Sequence, residues 1–538
     1  MVRFFAWVGI MIGKGRKQIF TPYKFIDDAN IIEVIQSALG TFQENASDCD
    51  FLIDYKDGLQ PIDRSNCPKK VMPWIDCEAT DNVAKEVYDF WKSFGWGNPI
   101  SLVQRGDVEE NPEIAEGIKQ LNNQYSLSGN LLDCQELAKF IEITGVGYTF
   151  IDINTEWEDD ESFFTRDVMS PMSTAVVRSS YYTDKRVMLG FTVRKDEDNN
   201  RYYTAFTKER RYDIYQLKKK NSDGIIIDDW GHEPYSGIKN PLGRIPIIEW
   251  IRDVDRTGVF EAQVAACDNL NLMLSDISNG TEQNIQAVWW ANNVEFPKQE
   301  VKDDAGNITI ETVKPKQGDW IKTKSPKDGA DPLIKPLTID YHLNDMQANY
   351  LSQRSLILEK CHVPMRNSTS GGSSGVAMDS ASGWDDAENV ASSQENLTQG
   401  CQMNEVKVVL AAIRESVGVT GIEIDNPMLK LKASYITPSI RRPKNYELTN
   451  RVNAWAAVVA KGGSVEDALT VAPIVPDAAQ FIARSGEGIR KYQEAQVWQN
   501  SNQQDEETHM TDLSDERQNT PLIDGMTTYS GEIDGENR

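Results

Sequence analysis

The chain reads as an α+β protein, and three observations predict it. Helical periodicity fills much of the first stretch. A period of two takes over from about Gly145 to Trp250, and long helical patterns return from Thr257 onward. At 538 residues the chain is well beyond the size that one core serves, so several domains are expected.

Taken in order, 22-PYKFIDDANIIEVIQSALG-40 and 81-DNVAKEVYDFWKSFG-95 read as helices, each closing on a glycine. Val187, Leu189, Phe191 and Val193 alternate with Met188, Gly190, Thr192 and Arg194, which makes a strand. The run 195-KDEDNN-200 is a turn, and 201–220 continues a β-meander that ends at 240-NPLGRIPIIEW-250. Residues 257–290 predict a long helix with Phe260, Val264, Cys267, Leu270, Leu274 and Ile277 on one face, interrupted near Gly280. The prolines, the DDAGN turn and the ITIETV alternation of 293–336 predict a small β insert in which lysines and acids balance. Helix resumes over 338–362, with Leu343, Met346, Tyr350, Ile357 and Cys361 as its apolar stripe.

The Gly/Ser-rich stretch 364-PMRNSTSGGSSG-375 comes next, and a long helix is expected from about Ala377 to Gly418. That helix carries Asp385, Asp386, Glu388, Gln394, Glu395, Gln402 and Glu405, with few large apolar residues before Val406. So polar a helix has little to bury in a monomer. The expected remedy is other copies of the same helix around a water-filled space, with Ala387, Ala391, Ser392, Ser393 and Gly400 admitting a close neighbour. Then 428-MLKLKASY-435 alternates as a strand. Helices follow over 443–463 and 464–472, the second with capping spacing at Ser464 and Asp467, and a further one runs to about Val497. The polar, acidic composition of 498–538 predicts disorder.

Charge and composition exclude several classes. With 82 Asp+Glu against 56 Lys+Arg, the formal charge is -26, which speaks against a protein that coats nucleic acid. Seven scattered cysteines without a CxxC pair suggest reduced thiols in a cytosolic setting. The apolar run 4-FFAWVGIMIG-13 is about half a membrane span and lacks a cleavage site after it, so it reads as a packing or interface segment.

Enzyme signatures fail. The segment 9-GIMIGKG-15 has three residues where a phosphate-binding loop needs four between its glycines, and Gly15 where Ser or Thr should hold magnesium. Nothing matches a zinc-binding, GxSxG or HExxH pattern. Asp385, Asp386 and Glu388 can be drawn as nuclease metal ligands, but a solvated acidic helix face is the simpler reading. His342 and His362 have no nucleophile nearby. Trp289 and Trp290, placed at a helix end beside the insert, suit packing better than base stacking.

The order of parts resembles the portal proteins of tailed bacteriophages, from about Gly145 to Val497. The motifs that carry it are 240-NPLGRIPIIEW-250 before the first long helix and 371-GGSSGVAM-378 at the start of the polar helix. The second is similar to the Ser-Gly-aliphatic-Ala segment that opens the family's tunnel helix, although 379-DSASGWDD-386 is more acidic than the family's continuation. The resemblance implies a wing over 1–255, stem helices over 256–292 and 338–363, and a clip insert over 293–337. It further implies a tunnel loop and long tunnel helix over 364–420, a wing strand within 421–442, crown helices over 443–497 and an acidic tail over 498–538.

As function, the resemblance implies a structural ring, usually of twelve subunits, at one capsid vertex of the virion, assembled in the host cytoplasm. Double-stranded DNA would pass through it. The terminase large subunit, a head-completion or adaptor protein and the major capsid protein would be its partners, with no cofactor, no metal, no catalytic residue and no membrane. Arg366, Asn367, Ser368, Thr369, Ser370, Gly371, Gly372, Ser373, Ser374 and Gly375 would form the DNA-facing loop. Lys314, Lys316, Trp320, Lys322, Lys324 and Lys327 would serve partner docking. A Gly/Ser loop held by two helices can shift at little strain, and an acidic lumen keeps the duplex from sticking. The competing expectations are a terminase-like nuclease and another head-completion protein.

Overall fold

A computed structural model describes residues 14–62, 76–105, 111–220, 226–285, 288–292, 298–302, 308–312, 333–337, 342–364, 383–419, 424–440 and 448–465, with a few single positions besides. Two compact units partition the chain. One comprises Met1–Leu102 with Glu116–Pro443, and the other Val103–Ala115 with Lys444–Arg538.

The described elements of the first half are β1 (Ile19–Thr21), α1 (Ile31–Lys56), α2 (Val83–Trp96), β2 (Ser101–Gln104), α3 (Pro112–Leu127), α4 (Asn130–Thr144), β3 (Val146–Ile153), β4 (Phe164–Met169), β5 (Thr174–Ser179), β6 (Val187–Lys195), β7 (Arg201–Phe206), β8 (Arg210–Lys220), β9 (Ile226–His232), β10 (Ile238–Lys239) and β11 (Ile247–Ile251). The second half has α5 (Val264–Ile285), β12 (Val288–Asn292), β13 (Lys298–Lys302), β14 (Ile308–Thr312), β15 (Leu333–Leu337), α6 (Leu343–Lys360), α7 (Trp384–Glu415), β16 (Ile436–Ser439) and α8 (Leu448–Ala460). The mixed architecture is α+β, as the periodicity indicates.

A seven-stranded sheet runs β1-β5-β6-β7-β8-β10, with β9 also on β8. Only β1 pairs in parallel, with Ile19 opposite Val177; the meander is antiparallel. One face of this sheet takes α1. Ile31, Val34, Ile35, Ala38 and Phe42, spaced by three and four, meet Val177, Leu189, Phe191, Tyr203 and Tyr212, and the Phe42 and Phe191 rings pack edge-on at 5.3 Å. That continuous face corrects the expected end at Gly40: α1 begins at Ile31 and runs through the glycine to Lys56. A mid-helix glycine costs about 1 kcal/mol, and burying Phe42, Phe51 and Leu52 beyond it outweighs that.

A three-stranded sheet, β11-β3-β4, lies against the large one through Val146, Tyr148, Val176, Phe206 and Ile247. The helices α2 and α5 share another core, in which Trp91, Phe94, Val264, Cys267 and Leu270 are buried.

A polar seam fastens α5. Asn271, Ser275 and Asn279, one helical turn apart and all buried, hold the extended backbone of 76–81. Cys77 N–H donates to Asn279 Oδ1 at 2.7 Å, Ala79 N–H to Ser275 Oγ at 3.0 Å, and Asp81 N–H to Asn271 Oδ1 at 2.9 Å. Every second strand residue meets every fourth helix residue because the two rises nearly match.

Two further sequence expectations are revised. First, α5 ends at Ile285 and runs through Gly280, so Trp289 and Trp290 stand on a strand: β12 pairs antiparallel with β15, Trp290 opposite Lys335. The insert is β-structured as expected, with β13 on β14 besides. Second, 428–435 is two short 3-10 turns, Pro427–Lys430 and Ala433–Tyr435, and the strand follows at Ile436. Pro427 with the Asn426 cap, whose side-chain Oδ1 accepts from Met428 N–H at 2.9 Å, starts a turn where alternation suggested extension. Gly15, which fits no phosphate-loop pattern, serves chain packing. Its φ is +65°, and a Cβ there would lie 1.9 Å from the Asp255 carbonyl oxygen. The neighbouring Arg16 is buried against Glu261 at 2.5 Å. The apolar run 4–13 lies outside the described residues.

Candidate functional site

The sequence singles out the stretch between α6 and α7, and the structure fixes both of its roots. Val363 N–H donates to the Leu358 carbonyl at 2.9 Å. A Cβ on Gly383 would stand 3.8 Å from Pro364 Cα, so the chain leaves and re-enters at one place. His362 Nδ1 hydrogen-bonds Asp386 across that neck. Trp384 closes it from inside, 6.0 Å from the Phe90 ring and 5.9 Å from Phe94. Trp91 Nε1 donates to the Cys361 carbonyl at 2.9 Å. These anchors lie on α2, at the C-terminal end of α6 and just beyond it, and at the start of α7. The loop residues Arg366, Asn367, Ser368, Thr369, Ser370, Gly371, Gly372, Ser373, Ser374 and Gly375 lie outside the described residues. So do Lys314, Lys316, Trp320, Lys322, Lys324 and Lys327 of the insert.

The helix that leaves the neck behaves differently from its sequence reading. Its polar side chains were expected to be satisfied only by sister copies; several of them find partners within the chain itself. Glu405 is fully buried, accepting from Arg166 Nε at 3.0 Å and from Thr149 Oγ1 at 2.7 Å. Arg166 reaches Asp133 at 3.1 Å, and Trp250 Nε1 donates to Thr149 Oγ1 at 3.0 Å. Gln394 Nε2 donates to Glu142 Oε1 at 2.5 Å, and Glu142 also takes Arg252 at 3.1 Å. Arg442 bridges Glu388 at 2.9 Å and Glu395 at 2.8 Å. The small residues Ala387 and Ala391 pack into the α2/α5 core, while Ser392, Ser393 and Gly400 are exposed.

Electrostatics follow burial. Desolvation pushes the Asp133 carboxyl up although Arg166 opposes it. At Glu249 burial also works upward, but Arg256 at 3.0 Å together with Arg178 outweighs it and holds the carboxyl below its ordinary range. Burial raises the Cys49 and Cys401 thiols to about 11 and those of Cys267 and Cys361 to about 12.

The nuclease reading finds no geometry. Asp385 and Asp386 are exposed, Asp386 is engaged by His362, and Glu388 is held by Arg442. Among the described residues no group of His, Cys, Asp and Glu is placed to hold a metal, and no helix is long and apolar enough to cross a membrane. His342 caps α6 in the left-handed region, φ 47°.

In contrast, α6 is barely used by its own subunit. Of its 18 residues Ile357 alone is buried, and Leu351 and Leu356 are 53% and 41% exposed. Tyr350 and Arg354 tie it to Asp81, at 2.5 Å and 2.9 Å.

A family model described as phage portal protein, SPP1 Gp6-like, matches residues 78–463, more than half of the chain. The chain belongs to the phage portal protein family. The match runs from the strap that holds α5, through the insert, the neck and α7, to the end of α8. It is a family of structural proteins, which agrees with the failed enzyme signatures. The comparison with individual curated proteins finds no match. Sequence reasoning missed Arg166, Glu142 and Arg442 as the partners of the polar helix, because they come from β4, α4 and the segment beyond β16.

Proposed function

We propose that this portal protein forms a closed ring, of twelve copies, at one capsid vertex, through which double-stranded DNA enters and leaves the head. In this reading α5 and α6 are the stem, 293–337 the clip, 364–376 the tunnel loop and 443–497 the crown. The clip would dock the terminase large subunit and later a head-completion or adaptor protein, through Lys314, Lys316, Trp320, Lys322, Lys324 and Lys327. The major capsid protein would surround the ring.

The observation that carries the reading is the family match across 78–463. The open flank of α6 supports it, since an 18-residue helix with one buried side chain needs a neighbour. The neck supports the loop assignment: a Gly/Ser loop rooted at one rigid point can reach into a channel while its base stays fixed. Multi-angle light scattering and negative-stain imaging of the full chain test the ring, with a central bore expected end-on; a strict monomer at every concentration would sink it. Deleting Ser370–Ser374 is expected to leave rings intact and impair genome packaging, and normal filled heads would remove the loop's role.

A further inference from the structure

An aromatic and cationic patch sits at the β1 edge of the large sheet in a chain whose net charge is -26. Two turns build it. The turn after β1 brings Lys24 and Phe25; the β5–β6 turn brings Tyr181, Tyr182, Lys185 and Arg186. Ser180 pins the turns together, its N–H and Oγ both donating to the Thr21 carbonyl, at 2.9 and 3.0 Å. Phe25 and Tyr181 are 67% and 58% exposed. Lys24 Nζ lies 5.4 Å from the Phe25 ring and 5.7 Å from Tyr181, and Lys185 Nζ lies 5.9 Å from Phe20. Neither lysine has a carboxylate partner among the described residues. Exposed rings with unneutralised cations over them are a surface still waiting for an acidic counterpart.

The same subunit carries that counterpart elsewhere. The β3–β4 hairpin reads 156-EWEDDE-161, four of whose acids (Glu156, Glu158, Asp159 and Asp160) are exposed without an ion partner among the described residues. Its shape is set internally: Asn154 N–H donates to the Phe163 carbonyl at 3.2 Å, and Trp157 Nε1 to the Glu161 carbonyl at 3.0 Å. The hairpin ends the three-stranded sheet, whereas the patch ends the seven-stranded one.

We infer that the Lys24/Lys185 aromatic patch of one copy receives the Glu156–Asp160 hairpin of the next copy. Rings need two different, mutually complementary faces on each subunit, and these two surfaces satisfy that requirement in charge. DNA is the disfavoured occupant, because two unpaired lysines on so acidic a body neutralise few phosphates. The inference rests on the ring reading and names part of its interface.

A charge-swap experiment on the full chain decides it, with light scattering at about 0.15 M salt as the readout, where surface charges act over about 8 Å. Lys24→Glu/Lys185→Glu and Glu158→Lys/Asp159→Lys are expected each to lose the ring species while keeping the wild-type melting curve. An equimolar mixture of the two is expected to recover rings, since the acidic patch of one variant then meets the basic hairpin of the other, and the remaining unaltered patch and hairpin meet as in wild type. The inference is overturned if either variant alone assembles like wild type, if the mixture stays unassembled, or if the lysine variant assembles normally and loses only duplex binding. Wild-type protein that never assembles removes the ring reading first, and this contact with it.

Discussion

Two helices flank the Gly/Ser-rich stretch, and they invert what their sequences suggest. The one before it, α6, has a recognisable apolar stripe yet buries only Ile357. The one after it, α7, is rich in Asp, Glu, Asn and Gln yet buries Thr398, Gln402 and Glu405 beside Val406, Val409 and Ile413. Polarity therefore does not say which helix depends on neighbours. What decides is whether each polar group finds a partner in its own subunit. Along α7 those partners are Arg166, Glu142 and Arg442. Along α6, Leu351 and Leu356 are exposed.

The strongest challenge to that contrast is Arg166→Met. It leaves Glu405 buried and unpaired, and breaking a buried pair from one side costs about 3–5 kcal/mol, so urea denaturation of the subunit should show a loss of that size. A loss within about 0.5 kcal/mol, the range of ordinary surface changes, would mean the pair does not organise α7. Trp384→Ala removes the ring that closes the neck; a half-buried site should lose about 2 kcal/mol, less than the 3–5 of a full core position, with faster amide exchange at the start of α7. Unchanged exchange would detach the neck from α7.

Glu249 sharpens the account through pH. Its folded value lies below its ordinary 4.5, so the stability it contributes is present above 4.5 and is lost as pH falls through the lower folded value. Glu249→Gln should therefore melt lower than wild type at neutral pH and converge with it in acid, and parallel melting curves down through that window would contradict the assignment. At the small end, Leu351→Asp with Leu356→Asp should change subunit stability by no more than about 0.5 kcal/mol while abolishing assembly, because truncating an interface anchor costs about 2 kcal/mol or more at each contact. Assembly that survives would return α6 to the status of an ordinary exposed helix.

Much of the fold is legible in the residues themselves. The alternation of Leu189 and Phe191 marks β6, the 195–200 run marks its turn, and the stripe from Phe260 to Leu270 marks α5. Boundaries fail where another signal, long-range or local, overrides the one read. Gly40 does not stop α1, because Phe42 and Leu52 still have the sheet and the α2 core to pack on; alternation at 428–435 does not make a strand, because Pro427 and Asn426 set turns. For α7 a clue was present: Ala387, Ala391, Thr398, Cys401, Glu405 and Ala412 recur at three, four and seven, a stripe of small and polar residues that fits a close intramolecular neighbour.

By itself the sequence determined the class of fold, the order of helix, β insert, helix, Gly/Ser stretch and polar helix, and the acidic charge. Each follows from local periodicity, turn chemistry or simple counting. Only the tertiary structure decided which helix finds partners for its polar groups within the chain and which leaves its flank exposed. Arg166 and Glu405 lie 239 positions apart, and a buried charge is tolerated or ruinous according to a partner that no local pattern can name.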